Sequence, residues 1–188
     1  MKILRMSYNR LFMASATRGI KNGLYPAFTK ILGSHSTRTF TPEELSELRD
    51  TFFAATTRMP NIIGECVPTH TLLFEFITKK INIPAVLTCG SVNNSNNMVY
   101  SFGDKEFKQA PMDVTNRLFP GHFWITLLDG RILDASYDSA DVKVNRGELR
   151  LNALLDFPER LTRQYIPFIS GGRELLSRVI LNPMSINL

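Results

Sequence analysis

Helical spacing in the first half of the chain and strand-like spacing in the second predict an α+β fold, with N-terminal helices packed on an antiparallel β-sheet. Three observations carry this. A capped apolar repeat follows Thr41, a second helical stripe starts near Cys66, and beyond Ile83 the period shortens, with turn residues between the apolar runs. A chain of 188 residues with 44% hydrophobic content suits one domain with a sizeable core, and 10 Pro and 11 Gly exclude a collagen-like or disordered chain. The sequence has no apolar run long enough for a transmembrane helix. Its 2 cysteines cannot build a disulfide scaffold and suit a reducing compartment.

The net charge of +5 is unevenly distributed. Lys2, Arg5, Arg10, Arg18, Lys21, Lys30 and Arg38 precede the first acid, Glu43, and the remainder is slightly acidic. Leu4, Tyr8, Leu11 and Phe12 make only a partial helical stripe, and charge interrupts it too often for a secretory signal peptide. Residues 1–36 therefore read as a basic, acid-free leader or arm: solvated, drawn to anionic surfaces, or read by an organelle or a secretion machine. Residues 37–188 read as a single folded domain. The expected location is the cytoplasm or a non-classical secretion route.

Thr41-Pro42-Glu43-Glu44 is a helix start: Thr41 as N-cap, Pro42 in the first turn and Glu44 closing a capping box. Leu45, Leu48, Phe52 and Phe53 continue it over 42–56. A second helix is predicted from Cys66 or Val67 to Lys80, because Pro68 is tolerated only near the start and Cys66, His70, Leu73, Phe74 and Ile77 share a face. Strands are predicted over 83–89, 98–102, 122–128, 131–136 and 165–169, with 91–97 as a polar turn and a terminal helix over 173–181.

The chemistry concentrates on three residues. Cys66 opens a helix, where unpaired backbone N–H groups favour a thiolate. His122 opens a strand and can take a proton and return it; Asp134 ends the next strand and can fix the imidazole tautomer. A cysteine nucleophile needs this pairing.

Gly64-Glu65-Cys66, Leu72-Leu73, Ile83-Pro84-Ala85-Val86 and Gly90 resemble the first half of a transglutaminase-like domain of the papain-like cysteine protease superfamily. Gly121-His122-Phe123-Trp124 and Asp129-Gly130 through Leu133-Asp134 resemble its second half, so the resemblance covers roughly residues 60–138. It implies a papain-like fold and a catalytic Cys66–His122–Asp134 triad performing acyl transfer on a protein or peptide amide, by hydrolysis or deamidation. An amine acceptor would instead give a transglutaminase or N-acyltransferase. Lasso-peptide leader peptidases share a similar Cys, His, Asp order, and the basic leader would also suit a secreted bacterial effector. The Gln that papain-like proteases place six residues before the cysteine is Pro60 here, and the interval 91–120 is longer than a minimal domain needs.

Asn61, Glu65, His70 and Trp124 are candidates for substrate contact or oxyanion support. His70 lies one turn from Cys66 and is a rival base, a pocket residue or a packed core histidine; Trp124 is core packing or a cleft wall, and Tyr137 a surface residue. Cys66, His70, Cys89 and His122 match none of the usual zinc spacings, and no cofactor or metal is assigned. A Cys66–Cys89 disulfide would abolish catalysis. Gly171-Gly172 before Arg173 reads as a plain turn. The rival to an enzyme is a binding module with a basic arm; no arginine-rich cluster points to specific nucleic-acid recognition.

The hairpin carries a geometric condition. With a two-residue Asp129-Gly130 turn, Ile125 would oppose Asp134, and His122 and Asp134 would point to opposite faces. The triad requires a three-residue loop or a bulge that sets Asp134 opposite Trp124.

Overall fold

The computed structural model describes residues 7–24, 38–57, 66–94, 97–112, 119–135, 154–161 and 163–180. Helix α1 is Tyr8–Lys21, α2 is Pro42–Thr57 and α3 is Cys66–Glu75. The capping box at α2 is reciprocal: Glu44 N–H donates to Thr41 Oγ1 at 3.2 Å, and Thr41 N–H donates to Glu44 Oε2 at 2.9 Å. Pro68 is accommodated in the first turn of α3, which runs on through a wider π-helical turn, Phe76–Ile81. Asn82, at φ 58°, ends that turn in the left-handed region.

The strands form one antiparallel sheet: β1 Ala85–Asn94, β2 Asn97–Tyr100, β3 His122–Leu127, β4 Ile132–Asp134, β5 Leu154–Asp156 and β6 Arg163–Gly171. Short helices α4, Asp104–Gln109, and α5, Glu174–Val179, complete the elements used here. An α+β architecture is what the change of period predicts. The expected polar turn at 91–97 differs: β1 continues to Asn94. β6 pairs with β1 along one edge from Leu87 to Asn94, while β3 and then β2 pair along the other. These partners satisfy the backbone of Ser91, Val92, Asn93 and Asn94 despite their polar side chains. β2 therefore lies in line with β3, with Tyr100 beyond His122. At Gly90 the strands approach so closely that an added Cβ would lie 2.2 Å from the Ile166 carbonyl oxygen, so only glycine fits.

Both sheet faces are covered. Cys66, Leu73, Phe74, Ile77 and the α5 residues Leu175, Leu176 and Val179 pack with Leu87, Phe123, Ile125 and Leu133 in the larger core. Tyr8, Phe12 and Ala16 of α1 pack on the other face with Val86, Val92, Trp124, Ile132 and Tyr165. The sequence reading begins the folded part at Thr37; residues 8–21 instead form a layer of the fold. The stripe is hard to recognise because Ser15 and Gly19 are among its five buried residues.

Ser15 belongs there because the α1 interface is partly polar. Its hydroxyl donates to the Phe12 carbonyl at 2.7 Å, which fixes the direction of every bond behind it. Ser170 must donate to Ser15 (2.7 Å), Thr88 to Ser170 (3.2 Å), Thr126 to Thr88 (2.9 Å) and Tyr8 to Thr126 (2.6 Å). Trp124 Nε1–H donates to Tyr8 Oη at 2.9 Å and starts the chain. Five buried hydroxyls are thus each donor and acceptor, an arrangement that fixes the register of α1 on the sheet.

Tyr8→Phe keeps the ring but leaves the Trp124 N–H and the Thr126 oxygen without their partner. The expected loss is about 1–3 kcal/mol in urea-induced unfolding, the cost of stranding buried polar groups. An unchanged midpoint would show that the hydroxyl chain does not hold α1.

Candidate active site

The β3–β4 loop decides where the polar side chains fall. Leu127 N–H donates to the Arg131 carbonyl at 2.9 Å and Gly130 N–H to the Leu127 carbonyl at 3.0 Å, enclosing Leu128-Asp129-Gly130 as a three-residue loop. Gly130 takes φ +94°, and the Asp129 side chain accepts from the Arg131 amide at 3.0 Å. The ladder pairs Ile125 with Leu133 and Thr126 with Ile132, so one step further Asp134 stands opposite Trp124. The register is the one the triad geometry demands.

Five elements, α3, β2, β3, β4 and β6, converge at this end of the sheet. Cys66 is the first residue of α3 and is 6% exposed. Its thiol lies beside the His122 ring, near enough to favour the charged form of that ring. His122 Nε2 lies 2.7 Å from Asp134 Oδ2. The same carboxylate oxygen accepts from Tyr165 Oη–H at 2.7 Å. Tyr100 stacks on the imidazole with centroids 4.8 Å apart, and Trp124 lies parallel to it at 6.2 Å. The His122 and Asp134 side chains are 1% and 0% exposed.

Burial opposes charge on both partners, and their pairing overcomes it. Desolvation alone would lower the His122 pKa, but the charge and hydrogen bond of Asp134, aided by Cys66, push it up to about 10. Desolvation would raise Asp134, yet the His122 charge and hydrogen bond hold it well below the ordinary carboxyl value. Burial and the adjacent Asp134 charge drive Tyr165 well upward, so it remains a neutral donor. Cys89 is a free, fully buried thiol, raised well above its ordinary value by burial and then by the nearby Cys66.

Of the other sequence candidates, Trp124 is fully buried with its indole N–H committed to Tyr8, so it backs the imidazole from behind and lines no cleft. His70 is also fully buried, and its ring bonds to the Cys66 carbonyl and the Ala135 amide. Asn61, Glu65 and Tyr137 lie outside the described residues. Cys66 and Cys89 are not joined by a disulfide. Among the described residues no cluster of His, Cys, Asp or Glu could hold a metal ion, and no helix is long and apolar enough to cross a membrane. Sequence reasoning missed Tyr165 and Tyr100. Neither carries a local signal, because strand pairing brings both to the site. A separate cavity of about 430 Å³ lies between α2 and β4, lined by Leu45, Leu48, Phe52, Leu73, Leu133 and Leu155, and does not include Cys66, His122 or Asp134.

Comparison with protein-family models, with curated proteins and with solved structures finds no match for this chain.

The paired charges set the pH behaviour. His122, raised above its ordinary 6.5, contributes stability fully below that pH and loses it as the pH rises through about 10. Asp134, depressed below its ordinary 3.8, contributes fully above that pH and loses its part in stronger acid. Their combined contribution is thus largest between about pH 4 and 6.5. NMR titration should find the His122 ring still doubly protonated at pH 8, with Asp134→Asn lowering its midpoint because burial then acts with less opposition. A ring that is neutral at pH 8 would contradict the charged pair.

Proposed function

We propose that this chain is a cysteine-dependent acyl-transfer enzyme acting on an amide bond of a protein or peptide, by hydrolysis or deamidation. The observation that carries the reading is a cysteine at the first residue of a helix, beside an imidazole whose Nε2 lies 2.7 Å from a buried carboxylate. A Cys, His and Asp of three separate elements meet in the order that nucleophile, proton carrier and orienting group require. The resemblance of residues 60–138 to transglutaminase-like, papain-like domains supports the same assignment.

In this mechanism the Cys66 thiolate, facing the His122 imidazolium, attacks the amide carbonyl carbon and forms a C–S bond. Negative charge moves to the carbonyl oxygen, where backbone N–H groups of the first turn of α3, which lack intrahelical acceptors, stabilise it. Collapse of the tetrahedral species breaks the C–N bond, and His122 gives its proton to the departing amine or ammonia. His122 then takes a proton from water as the water attacks the thioester. The acid product leaves, and the thiolate–imidazolium pair is restored. Asp134 keeps its charge throughout, holding the ring by Nε2 while Nδ1 does the proton transfers. Tyr165, donating to the same carboxylate oxygen, restrains it from rotating. Hydrolysis is preferred over transfer to an amine because water is always present as acceptor and the sequence carries no cofactor-binding motif.

A simple activated ester tests the chemistry without knowledge of the natural substrate. p-Nitrophenyl acetate should give a burst of nitrophenolate with one acetyl group on Cys66, located by peptide mass spectrometry, and none on the fully buried Cys89. His122→Ala should slow that acylation by about 100-fold or more, the usual worth of a general acid–base. Acetylation at another residue, or a burst that persists in Cys66→Ala, would overturn the assignment.

A further inference from the structure

His70 is a fully buried histidine beside the triad that the proposed mechanism does not use. Its hydrogen bonds define its protonation state. Nδ1 lies 2.7 Å from the Cys66 carbonyl oxygen, which can only accept, so Nδ1 carries a hydrogen. Nε2 lies 3.0 Å from the Ala135 amide nitrogen, whose N–H can only donate, so Nε2 presents a lone pair. A single form of the ring satisfies both contacts: the neutral tautomer protonated on Nδ1. The opposite tautomer fails both, and an imidazolium has no acceptor for the Ala135 N–H.

The Asp134 carboxylate is the competing neighbour, since a negative oxygen would draw a proton onto Nε2. Its Oδ1 is 3.3 Å from His70 Nε2, an approach that would be a hydrogen bond only if Nε2 carried a proton. The Asp134 carboxylate instead receives His122 and Tyr165 at Oδ2. The two histidines, with centroids 5.9 Å apart and rings nearly perpendicular, therefore differ in kind. His122 is a charged partner of Asp134, and His70 is a neutral strut. One end of the strut holds the backbone of the nucleophile residue and the other holds the backbone next to the orienting carboxylate. Cys66 and Asp134 come from α3 and β4, and no other side chain among the described residues bonds to the backbone of both ends.

We infer that His70 is a positioning residue of this site, a neutral Nδ1–H imidazole that ties the Cys66 carbonyl to the Ala135 amide and so sets the distance between the nucleophile and the His122–Asp134 pair. The inference rests on the acyl-transfer reading for its effect on reactivity, but its structural content does not. A small displacement of a nucleophile from its proton partner is costly, which is why such a strut matters.

Two measurements on the full chain test it. Nitrogen-15 NMR of the His70 ring between pH 6 and 8 should show the Nδ1–H tautomer with Nε2 unprotonated. A ring protonated on Nε2, alone or in addition, overturns the inference whatever the enzyme does. Second, iodoacetamide alkylation of Cys66 should slow by about tenfold or more in His70→Phe, which keeps the ring shape but breaks both ties. His70→Gln, whose side-chain carbonyl can still accept from Ala135, should recover part of that rate. The pH profile of alkylation should keep its shape in both variants while His122→Ala changes it. A His70→Phe rate equal to wild type removes the positioning role, and a profile altered as in His122→Ala would make His70 the base instead. Should His70→Phe fail to fold, His70→Gln and the tautomer measurement still decide. If His122→Ala leaves Cys66 reactivity untouched, the acyl-transfer reading fails by itself, and the tautomer still reports on His70.

Discussion

A carboxylate wholly withdrawn from water is the constraint on which this end of the molecule depends. Burying an isolated carboxylate costs several kcal/mol even after relaxation, so Asp134 is tolerable only with donors already in place. Those donors come from two other strands. His122 arrives through a hairpin whose loop must have three residues, and Tyr165 through the pairing of β6 with β1. A change of one residue in the loop would turn Asp134 to the other face and separate the charges. The left-handed glycine at 130 and the Asp129 side chain bonded across the loop are therefore parts of the site, although neither touches it.

A second consequence follows from covering the sheet twice. Antiparallel sheets often leave one face in water and then alternate apolar with polar residues. β3 reads His-Phe-Trp-Ile-Thr-Leu and is buried along its whole length. Its polar members must then be satisfied internally, and they are: His122 by Asp134, and Thr126 within the hydroxyl chain that ends on α1. Trp124 joins the two systems, since its indole N–H starts the hydroxyl chain while its ring lies behind His122. The basic N-terminal helix is in this way connected to the imidazole through one side chain. Arg18, counted in the sequence as leader charge, also donates to the Phe168 carbonyl and lies over the Phe168 ring.

What the sequence made legible was whatever local chemistry determines. The Thr41–Glu44 box and the helix beginning at Cys66 follow from short-range rules, and the structure has both; the three-residue hairpin loop follows instead from the need to bring His122 and Asp134 to one face of the sheet. The polar end of β1 was hidden because its partners in β6 lie some seventy residues downstream, and Ser-Val-Asn-Asn looks like a turn until they are known. Helix α1 was hidden because hydroxyls and a glycine share its buried stripe, which weakens any apolar period. A signal for it did exist in the strands. His122–Leu127 and Ala85–Cys89 lack the alternation of a half-exposed sheet, so the second face needed a cover, and the N-terminal segment was available to supply it. Tyr165 had no such signal, since nothing near it indicates a carboxylate thirty-one positions earlier in the chain.

The presence of two histidines around one carboxylate raises the question of why both are not charged. At a separation near 5.9 Å, two imidazolium rings would repel by about 3 kcal/mol at an effective dielectric constant of about 20. Asp134 could compensate one such charge well through a 2.7 Å contact, but the second would meet it only at 3.3 Å and would leave the Ala135 N–H without an acceptor. Placing the single positive charge on His122 sets it against the carboxylate at 2.7 Å and leaves His70 to bind two backbone groups as a neutral ring. The division follows from which partners each ring meets: a carboxylate and a thiol for one, a carbonyl and an amide for the other. Two side chains of the same type thereby acquire opposite partners, one bound to a carboxylate and one bound to two backbone groups.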